Sequence, residues 1–166
     1  MTIRHERPGD ENAIAEVTRQ AFASHPYSHQ TEHFIIDALR KADDLSVSLV
    51  AEQTGEVVGH IAFSPVLIED GAAGWYGVGP LSVVPALQRR GIGRALVEHG
   101  LGELRKLGAR GCLLVGDPAF YSRFGFANDP ALELEGVPQQ FFLSLPIGAS
   151  SAQGKVKFHV AFEATS

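Results

Sequence analysis

Cysteine, long apolar runs and an excess of positive charge are all missing from this chain. The one cysteine in 166 residues, Cys112, leaves no partner for an intrachain disulfide. It sits in the apolar run "GCLLV", where a small buried thiol fits better than a nucleophile. No uninterrupted apolar stretch approaches the roughly 20 residues that cross a bilayer, and the polar start "MTIRHERPGDEN" lacks the apolar core of a secretory signal. The expectation is a soluble cytoplasmic protein without a membrane partner. Lys and Arg number 14 against 19 Asp and Glu, a formal net charge of −5, which argues against nucleic acid as the main ligand. What the chain does have is 45% hydrophobic residues with 20% charged ones, the balance of a single globular domain over residues 1–166.

"MTIRHE" opens as a short strand. "GDENAIAEVTRQAF" follows with Ile14, Val17 and Phe22 near helical spacing and Asp10 placed to cap it. "TEHFIIDALRKA" predicts a second helix, Phe34, Ile35 and Leu39 facing one way and Asp37, Arg40 and Lys41 the other. Three segments rich in β-branched and aromatic residues come next, "LSVSLVAEQ", "EVVGHIAFSPVLIE" and "WYGVGPLSVV", which read as an antiparallel meander. Gly55 and Gly71 supply the positive φ that its turns need. Ile92, Leu96, Leu104 and Leu107 then mark a helix face that ends at Gly108. "RGCLLVGD" is a short strand that lies parallel to the one before that helix, since the helix forms a crossover. "DPAFYSRFGF" is a helical turn, and "FFLSLPI" and "GKVKFHVAFE" predict a last pair of strands. A homodimer through those last strands stays open.

The stretch "PALQRRGIGRAL" crowds Arg89, Arg90 and Arg94 around two glycines at a helix start. That end already carries about half a positive charge and unpaired N–H groups, so each nearby arginine costs ~0.3–1 kcal/mol unless an anion offsets it. Gly91 and Gly93 bare the amides, and the arginines offer charge-assisted bonds, which together fit a phosphate or pyrophosphate. The alternative is a basic helix start solvated by water. No Lys-Ser or Lys-Thr follows the glycines, which excludes a Walker loop. "GIGRAL" begins like a dinucleotide fingerprint, but Leu96 replaces its third small residue, so an oxidoreductase reading is the weaker one.

"VVPALQRRGIGRAL" resembles the acyl-CoA signature of the GNAT superfamily of N-acetyltransferases: Gln or Arg, two residues, Gly, any residue, Gly or Ala. Here it is met by Gln88, Arg89, Arg90, Gly91, Ile92 and Gly93. The predicted element order is similar to that superfamily over almost the whole chain, and "FYSRFGF" resembles its second, aromatic motif. "VGDPAFYSRFGF" with the closing "VKFHVAFE" resembles a branch of predicted bacterial acetyltransferases. The resemblance implies an α/β (α+β) fold: a mixed, mostly antiparallel seven-stranded sheet, helices on both faces, and two strands splayed into a cofactor cleft.

It also implies acetyl-CoA as the acyl donor, with a small-molecule or protein amine as acceptor. Backbone groups of Leu81, Ser82 and Val83 would pair with the pantetheine arm. Residues 88–94, Arg94 included, would hold the diphosphate, and Phe124 would lie near the cleft. A free N–H near Ser82 or Val83 would stabilise the oxyanion, and Tyr121 would protonate the leaving thiolate. Tyr27, His29 and His33, from the region of the first two helices, would contact the acceptor. An acyl-CoA-binding module without catalysis is the alternative, because "YGVGPLSVV" lacks the acidic residue that many members use as base. The position of a common asparagine is Leu114 here, which leaves Asp117 either as its substitute or as a helix cap. His29 and His33 stand four apart without HExxH or a third ligand, so no metal is expected. His60, mid-strand among apolar residues, reads as a satisfied core histidine, and His99 as a surface residue.

Overall fold

The computed structural model describes residues 1–166 and divides into two compact units. The first comprises Met1–Ser64, Gly79–Glu103 and Val160–Ser166. It contains β1 (Thr2–His5), α1 (Glu11–Phe22), α2 (Glu32–Lys41), β2 (Val47–Gln53) and nearly all of β3 (Glu56–Pro65). The second half of β5 (Trp75–Val83) and most of α3 (Ile92–Lys106) also belong to it. Here the ladder runs β1-β2-β3-β5. β2 pairs antiparallel with β1 from Thr2↔Glu52 to His5↔Leu49, and with β3 from Val47↔Phe63 to Gln53↔Glu56, with a bulge between Ala51 and Glu52.

Period-2 alternation along β3 decides which helix covers which face. Val50, opposite His60 in the ladder, packs with Ile14 of α1 and Ile36 of α2. On the other face Gly59 lies against Ile92 and Leu96 of α3, and the Phe63 ring reaches Gly100. The expected helices on both faces are thus present in this unit. The buried stripe of α2 is Ile35, Ile36 and Leu39, with Phe34 only partly buried. The C-terminal 3₁₀ turn Val160–Glu163 closes over Ile35 and Leu39 through Ala161 and Phe162.

The second unit comprises Pro65–Val78 and Leu104–His159. It carries β4 (Leu67–Ile68), the first half of β5, β6 (Gly111–Val115), α4 (Pro118–Tyr121), β7 (Leu132–Glu133), β8 (Phe142–Pro146) and β9 (Gly154–Lys157). β5 and β6 are parallel over Trp75↔Gly111, Tyr76↔Cys112 and Gly77↔Leu113, as the crossover requires, and β8 runs antiparallel to β6. The core here is Val66, Ile68, Trp75, Leu113, Leu132, Phe142, Ala152 and Val156. No helix of the protein is long and apolar enough to cross a membrane.

Several expectations need correction. Six strands, against the seven expected, make up the main ladders. "FFLSLPI" and "GKVKFHVAFE" do not pair with each other: β9 joins β4 and β7 in a separate three-stranded sheet, and its chain leaves the strand at Lys157. Leu107 is 55% exposed because α3 ends one residue earlier, so it lies past the helical face it was assigned to. Asp10 occupies the N-cap position of α1 without a side-chain cap bond; its carboxylate is drawn to the Arg4 guanidinium at 2.8 Å and to the Arg7 N–H at 2.7 Å.

Two glycines of α3 give opposite expectations for one substitution. Alanine in a helix interior ordinarily gains about 0.5–1 kcal/mol over glycine. A Cβ at Gly102 meets nothing within 4 Å, so Gly102→Ala should stabilise. A Cβ at Gly100 would lie 2.3 Å from the fully buried Phe63 ring, and overpacking of that kind costs about 1–3 kcal/mol, so Gly100→Ala should destabilise. Chemical denaturation of both variants checks this; equal shifts of the same sign would contradict the packing.

Candidate active site

Strand β5 and the start of α3 frame a loop whose shape follows from its backbone. A short 3₁₀ turn, Pro85–Leu87, leaves the strand. Gln88 ties the loop back to it, its side-chain Nε2 donating to the Val83 carbonyl at 3.1 Å. Val84 N–H donates to Val58 O at 2.9 Å, which fixes the end of β5 against β3. Arg89 then takes φ 64° and Gly91 φ 88°, both left-handed. A non-glycine residue in that region costs on the order of 1–3 kcal/mol, and such conformers turn successive N–H groups toward one point. The first turn of α3 follows at once, adding amides that have no intrahelical acceptor.

Arg89, Arg90 and Gly91 are exposed, Gly93 is partly exposed, and Ile92 is buried under the helix, offering only its backbone. Arg94 is also exposed, but its Nε donates to Glu98 at 2.9 Å, one turn farther along α3, an i,i+4 surface pair worth little in stability. Arg89 and Arg90 belong to the left-handed loop itself. Behind them, Ser82 is 1% exposed and its Oγ is buried without a partner; Leu81 is partly buried and Val83 is buried.

In the second unit Asp117 caps α4, its Oδ1 accepting from Ala119 N–H at 2.9 Å. This matches the capping reading of Asp117. Tyr121, on the last turn, sits among aromatic edges: ring centroids lie 4.8 Å from Phe120, 5.8 Å from Phe126 and 6.4 Å from Phe124. Burial pushes its phenol up to about 12. Cys112 is fully buried, and burial pushes its thiol up to about 12, which makes it an inert core residue.

The three residues expected to meet an acceptor lie between and at the start of the first two helices. Tyr27 is 87% exposed and turns an edge to His25, with centroids 6.2 Å apart; His29 is exposed; His33 is partly buried on the Phe34 ring at 3.9 Å, and desolvation lowers its pKa. His99 is exposed, its Nδ1 2.9 Å from the Ala95 carbonyl. No group of three or more His, Cys, Asp or Glu side chains comes together as a metal site.

A polar chain in the first unit was not visible in the sequence. Glu6 receives the Arg40 guanidinium in a fork at 2.8 and 2.9 Å, Arg40 also reaches Asp37 at 2.7 Å, and the chain borders a cavity of about 260 Å³. The Ser48 hydroxyl donates to Glu6 at 2.7 Å and lies 2.7 Å from Nε2 of His60. Burial raises the Glu6 pKa, but the bonds from Arg40 and Ser48 outweigh it and leave the carboxyl below its usual value. An ionised Glu6 accepts the only hydroxyl proton of Ser48, so His60 must donate from Nε2. Its Nδ1 is then a bare lone pair, buried and unpartnered. His60 is thus a core histidine satisfied at one nitrogen.

Burial holds the His60 pKa down at about 4. A histidine depressed in the folded state contributes stability that is complete above the unfolded value near 6.5 and is lost as pH falls toward 4, on the order of 3 kcal/mol. Urea denaturation at pH 7 and pH 4 should show His60→Gln losing less stability over that interval than the parent chain. Identical losses would contradict the assignment.

The family model for the Acetyltransferase (GNAT) family matches residues 13–126. The crystal structure of a GNAT family acetyltransferase from Brucella melitensis in complex with acetyl-CoA is 50% identical, covers 97% of each chain and superposes with a TM-score of 0.87. The structure of YhbS from Escherichia coli in complex with CoA is 31% identical, covers 99% of this chain and 93% of that one, and gives a TM-score of 0.89. In sequence, the uncharacterized N-acetyltransferase YhbS of Escherichia coli (strain K12) is 38% identical over 127 residues, 76% of this chain and 73% of that protein. With its left-handed glycine loop at the head of α3 and a family match over most of its length, this chain belongs to the GNAT acetyltransferase family.

Proposed function

We propose that this protein transfers the acetyl group of acetyl-CoA to a primary amine of a small molecule or protein. The observation that carries this reading is the left-handed loop at Arg89 and Gly91, which gathers backbone N–H groups at a helix start beside two exposed arginines. Two relatives with high structural similarity hold acetyl-CoA and CoA. In this reading the amides of residues 88–94 and the Arg89 and Arg90 guanidinium groups hold the diphosphate. Leu81, Ser82 and Val83 pair their backbone with the pantetheine arm. Support for the last point is that the three rungs joining β5 to β6 all precede these residues in the strand.

Chemically, the amine lone pair attacks the thioester carbonyl carbon, and a backbone N–H near Ser82 or Val83 stabilises the oxyanion. The C–S bond then breaks, the amine nitrogen gives up a proton, and the sulfur leaves as a thiolate that accepts a hydrogen bond from Tyr121 and takes its own proton from water. A phenol pushed up to about 12 is a poor acid toward a thiolate near 8.5. Complete transfer is uphill by roughly 5 kcal/mol on reference values, so Tyr121 works by orientation and by donating a hydrogen bond as charge develops on sulfur. Strand β5 has no carboxylate, and the nitrogen's proton leaves to water.

Incubation with acetyl-CoA and a panel of polyamines, amino sugars, amino acids and peptide N-termini tests this reading, with free thiol and acetylated product followed together. The expected result is thiol release equal to product formed with at least one amine. Tyr121→Phe should slow it by about 10²-fold while CoA affinity holds. CoA binding without thiol release across the panel would favour the binding-module reading. Because the phenol stays protonated, the rate should show no inflection from Tyr121 up to pH 10.

A further inference from the structure

We propose that Gly116 is a positioning residue for Tyr121, the missing side chain serving as the seat on which the phenol ring is fixed. This rests on the role given to Tyr121 above. Gly116 lies just past β6, its N–H donating to the Phe141 carbonyl at 2.9 Å. Its backbone is not left-handed, so nothing in its φ demands glycine. What does demand it is the ring: a Cβ at Gly116 would stand 2.5 Å from Cε2 of Tyr121 and 3.0 Å from Cδ2. A separation that short is not tolerated by real side chains, so the phenol must move to admit even a methyl group.

Other groups pack against the ring as well. Phe120 and Phe126 meet it edge-on at interplanar angles of 87° and 73°. The backbone beneath is set by the Asp117 cap and by Tyr121 N–H donating to the Asp117 carbonyl at 3.1 Å. Two aromatic edges, one capped turn and one bare α-carbon together set where the phenol ring lies. For a weak acid that must act through orientation, the bare α-carbon has a functional consequence as well as a packing one.

The seat is tested by titrating the tyrosines spectrophotometrically in the parent chain, Gly116→Ala and Tyr121→Phe, the last identifying the contribution of Tyr121. In the parent chain Tyr121 should resist ionisation beyond the ordinary range. In Gly116→Ala, with the ring displaced toward water, it should titrate at lower pH. Kinetically, Gly116→Ala should lower kcat at least tenfold toward the Tyr121→Phe level with CoA affinity within twofold, and adding it to Tyr121→Phe should lower kcat no further. An unchanged tyrosine titration, or equal losses in both backgrounds, would overturn the proposal. Should Gly116→Ala fold poorly, Gly116→Ala in a Tyr121→Ala background should recover stability; failure to recover also overturns it. If no amine supports turnover, the functional reading fails while the titration still decides the seat. Full activity of Tyr121→Phe beside a shifted titration would remove the acid role and keep the seat.

Discussion

Everything proposed for this enzyme depends on holding a few backbone amides in a conformation that the chain does not favour. Arg89 adopts a left-handed φ of 64° without the freedom of glycine, and Gly91 repeats the turn two residues on. Left to itself a strained loop of this kind relaxes. Here it is pinned on one side by Gln88 bonded to the Val83 carbonyl and by Val84 bonded to β3, and on the other by α3, whose Ile92 and Leu96 are packed against β3 at Gly59. The strain is thus held by the sheet and the helix, and left-handed conformers of this kind at a helix start turn backbone N–H groups the way an anion site needs them.

The chemistry follows the same logic of orientation over intrinsic reactivity. β5 carries no carboxylate, Cys112 is buried beyond use, and Tyr121 is a weaker acid than a free phenol. None of these groups is strong by itself. A bound thioester and a bound amine need placement more than they need a powerful acid, since fixing reactants in a near-attack geometry removes several kcal/mol from a barrier, up to about 7–11 kcal/mol in the best cases. The polar chain Asp37–Arg40–Glu6–Ser48–His60 does a different job. It links α2, the segment after β1, β2 and β3 through charge-assisted bonds inside the first unit and fixes the His60 tautomer.

Features written in short-range sequence were legible. Helical spacing located α1, α2 and α3; Gly55 and Gly71 do carry positive φ; the crossover placed β6 parallel to β5; Asp117 followed by Pro118 announced its cap. The glycine-arginine stretch was readable because charge at a helix start conflicts with the dipole unless a ligand resolves it. What escaped depends on residues far apart. The bond from Ser48 to Glu6 spans 42 positions and the Arg40 fork spans 34, and no local pattern predicts either. The pairing of β9 with β4 and β7 needs knowledge of which edges stay open once β8 has joined β6. Asp10 stood at the right position for a cap, but the guanidinium of Arg4, six residues upstream in β1, competed successfully for its carboxylate. Arg94 likewise pairs with Glu98, a nearby counter-charge that a motif does not display.

The most direct test of the central claim is calorimetric titration of the protein with CoA and, separately, with pantetheine, which lacks the phosphates. The account predicts that CoA binds at least tenfold more tightly than pantetheine, and that Gly91→Ala, which strains a left-handed position, removes most of the difference. Equal affinity for the two molecules, with Gly91→Ala without effect on either, would contradict it.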